Sequence, residues 1–295
     1  MTKTDLLNRL AEGRLITAPG IFDMVSALVA DRMGFEALFA TGYGTVASGY
    51  GLPDAGLATY SDMLERFARM AALTRTPVIA DADTGFGGLV NMRHTVRGYE
   101  AAGIAAIQIE DQEFPKRCGH TGPRPVIDGD EMARKIEVAA SSRRCDGFAV
   151  IARTDARLSL GLDAALERAR LYQTAGADVI FIEALKSRDE IARAVDLLDR
   201  PLAVNMAVGG KTPAMARRVL TELGVALAIY PTQALLAATA AMETTFAALK
   251  ATGETDGERL YDFSAFNTLV GMDEIQAFES RFAEPGGVGS IVRQP

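Results

Sequence analysis

Histidine, cysteine and clustered basic charge are all scarce in this chain of 295 residues, which has two His, two Cys and a net charge of −7. Two histidines exclude a His-rich metal site and leave room for one catalytic His at most. His94 lies in a helical pattern and reads as a structural or surface residue. Two cysteines, Cys118 and Cys145, are too few for a disulfide framework and suit a reducing compartment. Without a basic block, nucleic acid and anionic membrane are poor partners. No apolar run approaches the roughly 20 residues that span a bilayer. The N-terminal residues Met1 to Asp5 lack the apolar core of a signal peptide. The expectation is a cytoplasmic protein with neither nucleic acid nor membrane as partner. No low-complexity tract and no sequence repeat of roughly 20–50 residues is evident.

What the chain does have is apolar residues, 48% of the total, in short runs alternating with helical patterns. Eight runs read as strands: 15–19, 37–41, 77–81, 105–110, 149–153, 178–183, 202–205 and 226–230. Periodic segments such as 163–175 and 187–198 read as the helices between them. That alternation is the signature of βα units around a parallel sheet, and eight units imply a closed (β/α)8 barrel of the TIM type. A doubly wound open sheet is the alternative. The expected organisation is one α/β barrel domain over 1–295. Beyond the helical segment 232–251 and a polar break at 252–257 comes a second helical pattern, 260–282, which a barrel does not need for closure. Residues 258–282 are therefore expected to serve oligomerisation, and 284–295 to form a mobile tail.

In such barrels the chemistry sits at the C-terminal strand ends, and here those ends are polar. The second ends in Thr41-Gly42-Tyr43-Gly44, the third in Asp81-Ala82-Asp83-Thr84-Gly85, the fourth in Glu110-Asp111-Gln112. The fifth ends in Arg153-Thr154-Asp155, the sixth in Glu183, the seventh in Asn205. Asp81 and Asp83 are two apart, so on an extended strand both would face one side. With Glu110 they make a hard-oxygen set suited to Mg²⁺; a turn rich in Asp and Gly is the other reading. Gly42-Tyr43-Gly44-Thr45-Val46-Ala47 superficially matches a dinucleotide fingerprint. It follows the second strand, however, and a Gly- and Pro-bearing loop is expected after it rather than a clean helix. Backbone N–H groups here suit a substrate carboxylate better. Arg153 reads as a bidentate carboxylate clamp or as an ion-pair partner of Glu183 or Asp155. Asn205 reads as a ligand or a turn residue, and Asp54 as an N-cap or a functional acid.

The fourth strand runs into Pro115-Lys116-Arg117-Cys118-Gly119-His120. Lysine and arginine beside the thiol favour thiolate, so Cys118 suits proton transfer near neutral pH. A chance cysteine on a surface loop is the alternative. Gly119, Gly122, Pro123 and Pro125 suit a loop that closes over substrate.

Together with Gly51-Leu52-Pro53-Asp54 and Asn205-Met206, these motifs resemble the isocitrate lyase/phosphoenolpyruvate mutase superfamily over nearly the whole chain. Lys116-Arg117-Cys118-Gly119-His120 is the mark of its carbon–carbon lyases. The resemblance implies a (β/α)8 barrel, Mg²⁺ (with Mn²⁺ as an alternative), a small di- or tricarboxylate ligand, and a homotetramer with the C-terminal helix swapped between subunits. It implies metal contacts from Asp81, Asp83 and Glu110, and catalytic roles for Cys118, Asp54, Arg153 and Tyr43. Substrate contacts fall to Thr41, Gly42, Tyr43, Arg153, Gly119, His120, Glu183 and Asn205. The pattern is most similar to 2-alkylmalate lyases, which cleave a 2-hydroxy acid by retro-aldol chemistry to an α-keto acid and a carboxylate. The runner-up is 2-methylisocitrate cleavage, ahead of oxaloacetate hydrolysis or decarboxylation and a mutase-like reaction. One departure stands out: position 39 is Phe where several lyases have Tyr, and Tyr43 is the substitute.

Overall fold

The computed structural model describes residues 5–117, 124–255 and 260–283. The chain divides into two compact units, Met1–Met242 and Glu243–Pro295. The first holds eight parallel strands closed into a barrel in sequence order. They are β1 (Ile16–Ile21), β2 (Leu38–Ala40), β3 (Val78–Asp81), β4 (Ala106–Glu110), β5 (Ala149–Thr154), β6 (Val179–Ile182), β7 (Leu202–Asn205) and β8 (Leu227–Tyr230). Every strand lies within a residue or two of its sequence-based position, because parallel barrel strands are buried on both faces and read as unbroken apolar runs.

Alternation along each strand separates two cores. One set of side chains fills the barrel, and the opposite set packs beneath the surrounding helices. Two residues before the mouth of each strand, the inward position is apolar in β1 (Ala18), β2 (Phe39), β3 (Ile79), β5 (Ile151), β6 (Phe181), β7 (Ala203) and β8 (Ile229). In β4 it is Gln108. Leu6 and Leu10, one turn apart on the helix Asp5–Ala11, join the interior cluster.

Among the described residues no helix is long and apolar enough to cross a membrane. The helix Gln233–Thr252 leads from the first unit into the second. In the second, the expected helix at 260–282 is two helices, Phe263–Leu269 and Met272–Phe282. Gly271 between them is left-handed at φ 90°, a conformation that ends a helix and that glycine adopts without strain.

Candidate active site

The mouth of the barrel gathers the polar residues that end its strands. Thr41, Asp81, Glu110, Arg153, Glu183 and Asn205 are all buried there. All but Glu110 line one cavity, which Tyr43, Asp54 and Gln108 complete together with apolar residues and Thr232.

Arg153 binds three carboxylates. It donates to Asp155 through Nε and Nη2, both at 2.9 Å, and lies 3.2 Å from Glu183 and 3.4 Å from Glu110. Its guanidinium stands 5.3 Å from the Phe181 ring centre. Arg124 adds a second cation on Asp155. Burial alone would raise the Asp155 pKa; the Arg153 charge and hydrogen bonds, with Arg124, outweigh it and hold Asp155 below the usual carboxylate range. Glu110 goes the other way: desolvation exceeds the pull of Arg153 and keeps its pKa well above normal.

A second knot forms around Lys116, 4% exposed. Its ammonium pairs with Asp54 and lies 2.6 Å from Asp83. Desolvation opposes the charge, but Asp83, Asp81, Asp54 and Glu110 together raise the Lys116 pKa, so it stays cationic. Asp83 rises to about 7, chiefly through burial, with Asp81 and Asp54 adding to it against Lys116.

Asp83 lies just past β3 with a left-handed φ of 48°. The expectation that Asp81 and Asp83 share one face of an extended strand is therefore corrected. The turn brings them together differently: the Asp83 N–H donates to Asp81 Oδ1 at 3.1 Å. The other Asp81 oxygen accepts from the Gly42 N–H at 3.3 Å. A Cβ on Gly42 would meet that oxygen at 2.6 Å, so glycine leaves the Asp81 carboxylate room to reach the Gly42 N–H.

Among the described residues, no three His, Cys, Asp or Glu side chains are gathered as a ready metal site. Asp81, Asp83 and Glu110 instead surround the Lys116 charge. Their chemistry still fits a hard cation that keeps its waters: every donor is oxygen. Glu110 Oε1 is buried without a hydrogen-bond partner among the described residues. In chelator, Asp83 and Glu110 hold protons in the fold that they release on unfolding. Their stabilisation is complete below the unfolded value near pH 4 and drains as pH rises, through about 7 for Asp83. The depressed Asp155 acts in the opposite sense, but at lower pH. The expected result is a melting temperature that falls from about pH 6 to about pH 8 in chelator. A midpoint that rises across that window contradicts the shift.

Sequence reasoning missed the support behind this mouth. Asp111 follows Glu110 and is fully buried. It accepts from Thr154 Oγ1 (2.7 Å), the Asp155 N–H (2.8 Å), Tyr172 OH (2.7 Å) and Arg168 (3.1 Å). It thereby fixes the strand that carries Arg153 and Asp155. Asp111→Ala leaves these donors without their acceptor and is expected to cost about 3–5 kcal/mol, read as a lowered urea midpoint. The available signal was strand alternation, which turns Asp111 away from Glu110. The role of Lys116 as an ion-pair centre was missed as well; its spacing from Asp54 and Asp83 carries no local pattern.

The other expected residues fall as follows. Thr41 caps a helix, Gly42–Tyr50, with its hydroxyl accepting from the Gly44 N–H at 3.5 Å, and Gly51 ends it at φ 64°. The loop expected after Thr41-Gly42-Tyr43-Gly44 is thus corrected to a helix: Thr41 and Gly51 supply its caps despite the glycines inside. Asp54 is an ion-pair partner rather than an N-cap, since Thr59 caps the next helix. Arg153 is in the ion pairs with both Asp155 and Glu183. Asn205 donates to Glu183 at 3.2 Å. His94 is exposed and rests on Tyr60, ring centres 4.6 Å apart. Cys118, Gly119 and His120 lie outside the described residues.

Barrel and mouth together define an enzyme. The family model described as phosphoenolpyruvate phosphomutase matches residues 7–250. The chain is 42% identical over 284 residues to 2,3-dimethylmalate lyase of Eubacterium barkeri, covering 96% of this chain and 98% of that one. It is 40% identical over 282 residues to 2-methylisocitrate lyase of Aeropyrum pernix, covering 95% and 90%. A crystal structure of 2,3-dimethylmalate lyase superposes with a TM-score of 0.90 at 36% identity, covering 98% of this chain and 99% of that one. The chain belongs to the PEP mutase/isocitrate lyase superfamily, and it is a carbon–carbon lyase.

Proposed function

We propose that the chain cleaves the C2–C3 bond of a 2-alkylmalate such as 2,3-dimethylmalate, giving pyruvate and propanoate, with Mg²⁺ bound by Asp83, Asp81 and Glu110. The observation that carries this is one cavity lined by the carboxylates Asp54 and Asp81 and by the guanidinium of Arg153, with Asp83 joined to Asp54 through Lys116. A 2-hydroxy diacid needs both a hard cation and a carboxylate clamp. The chemistry Mg²⁺ supplies when bound is positive charge that acidifies the substrate hydroxyl and stabilises the carbonyl forming from it.

The chain's own residues do the rest. Thr41, Gly42 and Tyr43, at the N-terminus of their helix, hold the keto-acid carboxylate, with the Tyr43 N–H as donor because those of Thr41 and Gly42 already bond Ile21 and Asp81. The hydroxyl proton leaves through Tyr43, which lines the cavity and passes its own phenolic proton on to water, while Asp54 orients the substrate. The electron pair of the breaking bond passes to the carbon beside the departing carboxylate. Arg153, Glu183, Asn205, Gly119 and His120 hold that end of the substrate, and Cys118 delivers a proton to the carbon. In Lys116, Asp54 and Asp83 have a counter-charge when no metal is bound.

The 40% identity to a 2-methylisocitrate lyase supports a second reading, cleavage to pyruvate and succinate. One methylene changes discrimination by only about 1–3 kcal/mol, so the test is a panel. Alkylmalates, 2-methylisocitrate, isocitrate and oxaloacetate are assayed with Mg²⁺ for keto acid and for the second product. Highest kcat/KM on an alkylmalate is expected; succinate from 2-methylisocitrate at higher kcat/KM selects the second reading. Exposed Phe263, Phe278 and Phe282 in the second unit support a homotetramer in which 258–282 packs on a partner subunit.

A further inference from the structure

We propose that the side-chain amide of Gln108 donates a hydrogen bond to a carboxylate oxygen of the bound substrate, making that oxygen a requirement for binding. The inference rests on the lyase reading above and adds a residue that reading does not use.

The register partner of Gln108 on β5, Ile151, is apolar, whereas its partner on β3 is Asp81, so Gln108 extends the polar lining of the mouth along β4. Gln108 is 2% exposed and lines the same cavity as Thr41, Asp81 and Arg153. Its backbone is fixed: its carbonyl accepts from the Ala82 N–H at 2.8 Å, and it stands in register with Asp81 on β3 and Ile151 on β5. Its side-chain amide makes no hydrogen bond to any other described residue and opens on the cavity rather than being sealed away from it. An amide that opens on a cavity and makes no hydrogen bond within the protein is free to complete its bonds there. Such a group is expected where a ligand completes its hydrogen bonds.

The chemistry of the cavity selects the ligand atom. The mouth already carries fixed charges of both signs on Asp81, Arg153 and Glu183. Gln108 adds a neutral donor beside Asp81, which recognises an oxygen without adding to the anionic charge. A di- or tricarboxylate is rich in acceptors, so the amide N–H, rather than its carbonyl, faces it. A site built around such a bond rejects analogues lacking the oxygen far more strongly than an apolar pocket rejects an extra methylene.

Gln108→Met keeps nearly the same volume and removes the donor. Gln108→Glu keeps the shape and replaces the donor with an acceptor. Three readouts are compared with wild type: the melting temperature without ligand, the dissociation constant of oxalate with Mg²⁺, and KM against kcat on the best substrate of the panel. For Gln108→Met the expected melting temperature is close to wild type, because the amide makes no hydrogen bond within the protein. Oxalate is expected to bind roughly 10- to 100-fold more weakly, with KM rising in parallel, and Gln108→Glu to bind more weakly still. Oxalate affinity within twofold of wild type in folded Gln108→Met overturns the proposal, whatever its stability. A wild-type chain that neither binds oxalate nor cleaves any member of the panel overturns the lyase reading itself, and this inference with it.

Discussion

Cys118→Ser is expected to lower turnover by roughly a hundred- to ten-thousandfold, the range for a lost general acid, while oxalate and Mg²⁺ still bind as in wild type. A serine hydroxyl nearly matches the thiol in size but holds its proton far more tightly near neutral pH. The sequence places two cations and a histidine within two residues of the sulfur. The described residues on either side of the stretch 118–123 are tied to the mouth. Lys116 pairs with Asp54 and Asp83, and Arg124 with Asp155. The chain therefore enters and leaves that stretch beside the ion pairs of the mouth. Retained binding separates a lost proton donor from a disturbed pocket. Wild-type turnover in the serine variant rules out the thiol as the donor.

Arg153→Lys is expected to cost roughly a hundredfold in kcat/KM, the scale of a misplaced binding group, and to lower the urea midpoint. Lysine keeps the charge but loses the fork. Arg153 now spans both oxygens of Asp155 while remaining within 3.4 Å of Glu110 and 3.2 Å of Glu183. One ammonium has no planar fork with which to satisfy all three. The loss leaves buried carboxylates under-compensated, at a site where Glu110 is already pushed up by burial. Steady-state kinetics and urea titration read both effects. Wild-type kcat/KM in the lysine variant contradicts the role given to the fork.

The barrel was legible because its strands are buried on both faces and its helices on one, so the two periods alternate visibly along the chain. The strand ends were legible because Asp81, Glu110, Arg153, Glu183 and Asn205 interrupt apolar runs where nothing structural calls for charge. Less legible was anything set by backbone geometry across units. The left-handed turn at Asp83 reads like an extended continuation of β3. The helix Gly42–Tyr50 reads like a loop because its glycines mask its caps. The ion pair of Lys116 with Asp54 spans 62 positions. Asp111 and Tyr172 meet across 61. Contacts of that range follow from closing the barrel and leave no local period to find. Gln108 was visible as a letter, but its meaning needed the barrel register, which sets it beside Asp81 on the cavity.

Keto-acid release from an alkylmalate, followed against added Mg²⁺ after chelation, tests most directly whether the acidic knot at the mouth works through a divalent cation. Wild type is expected to be inactive in chelator and restored by Mg²⁺, and Asp83→Ala to stay inactive at Mg²⁺ levels that saturate wild type. Undiminished release in chelator, or a wild-type Mg²⁺ dependence in Asp83→Ala, contradicts the account.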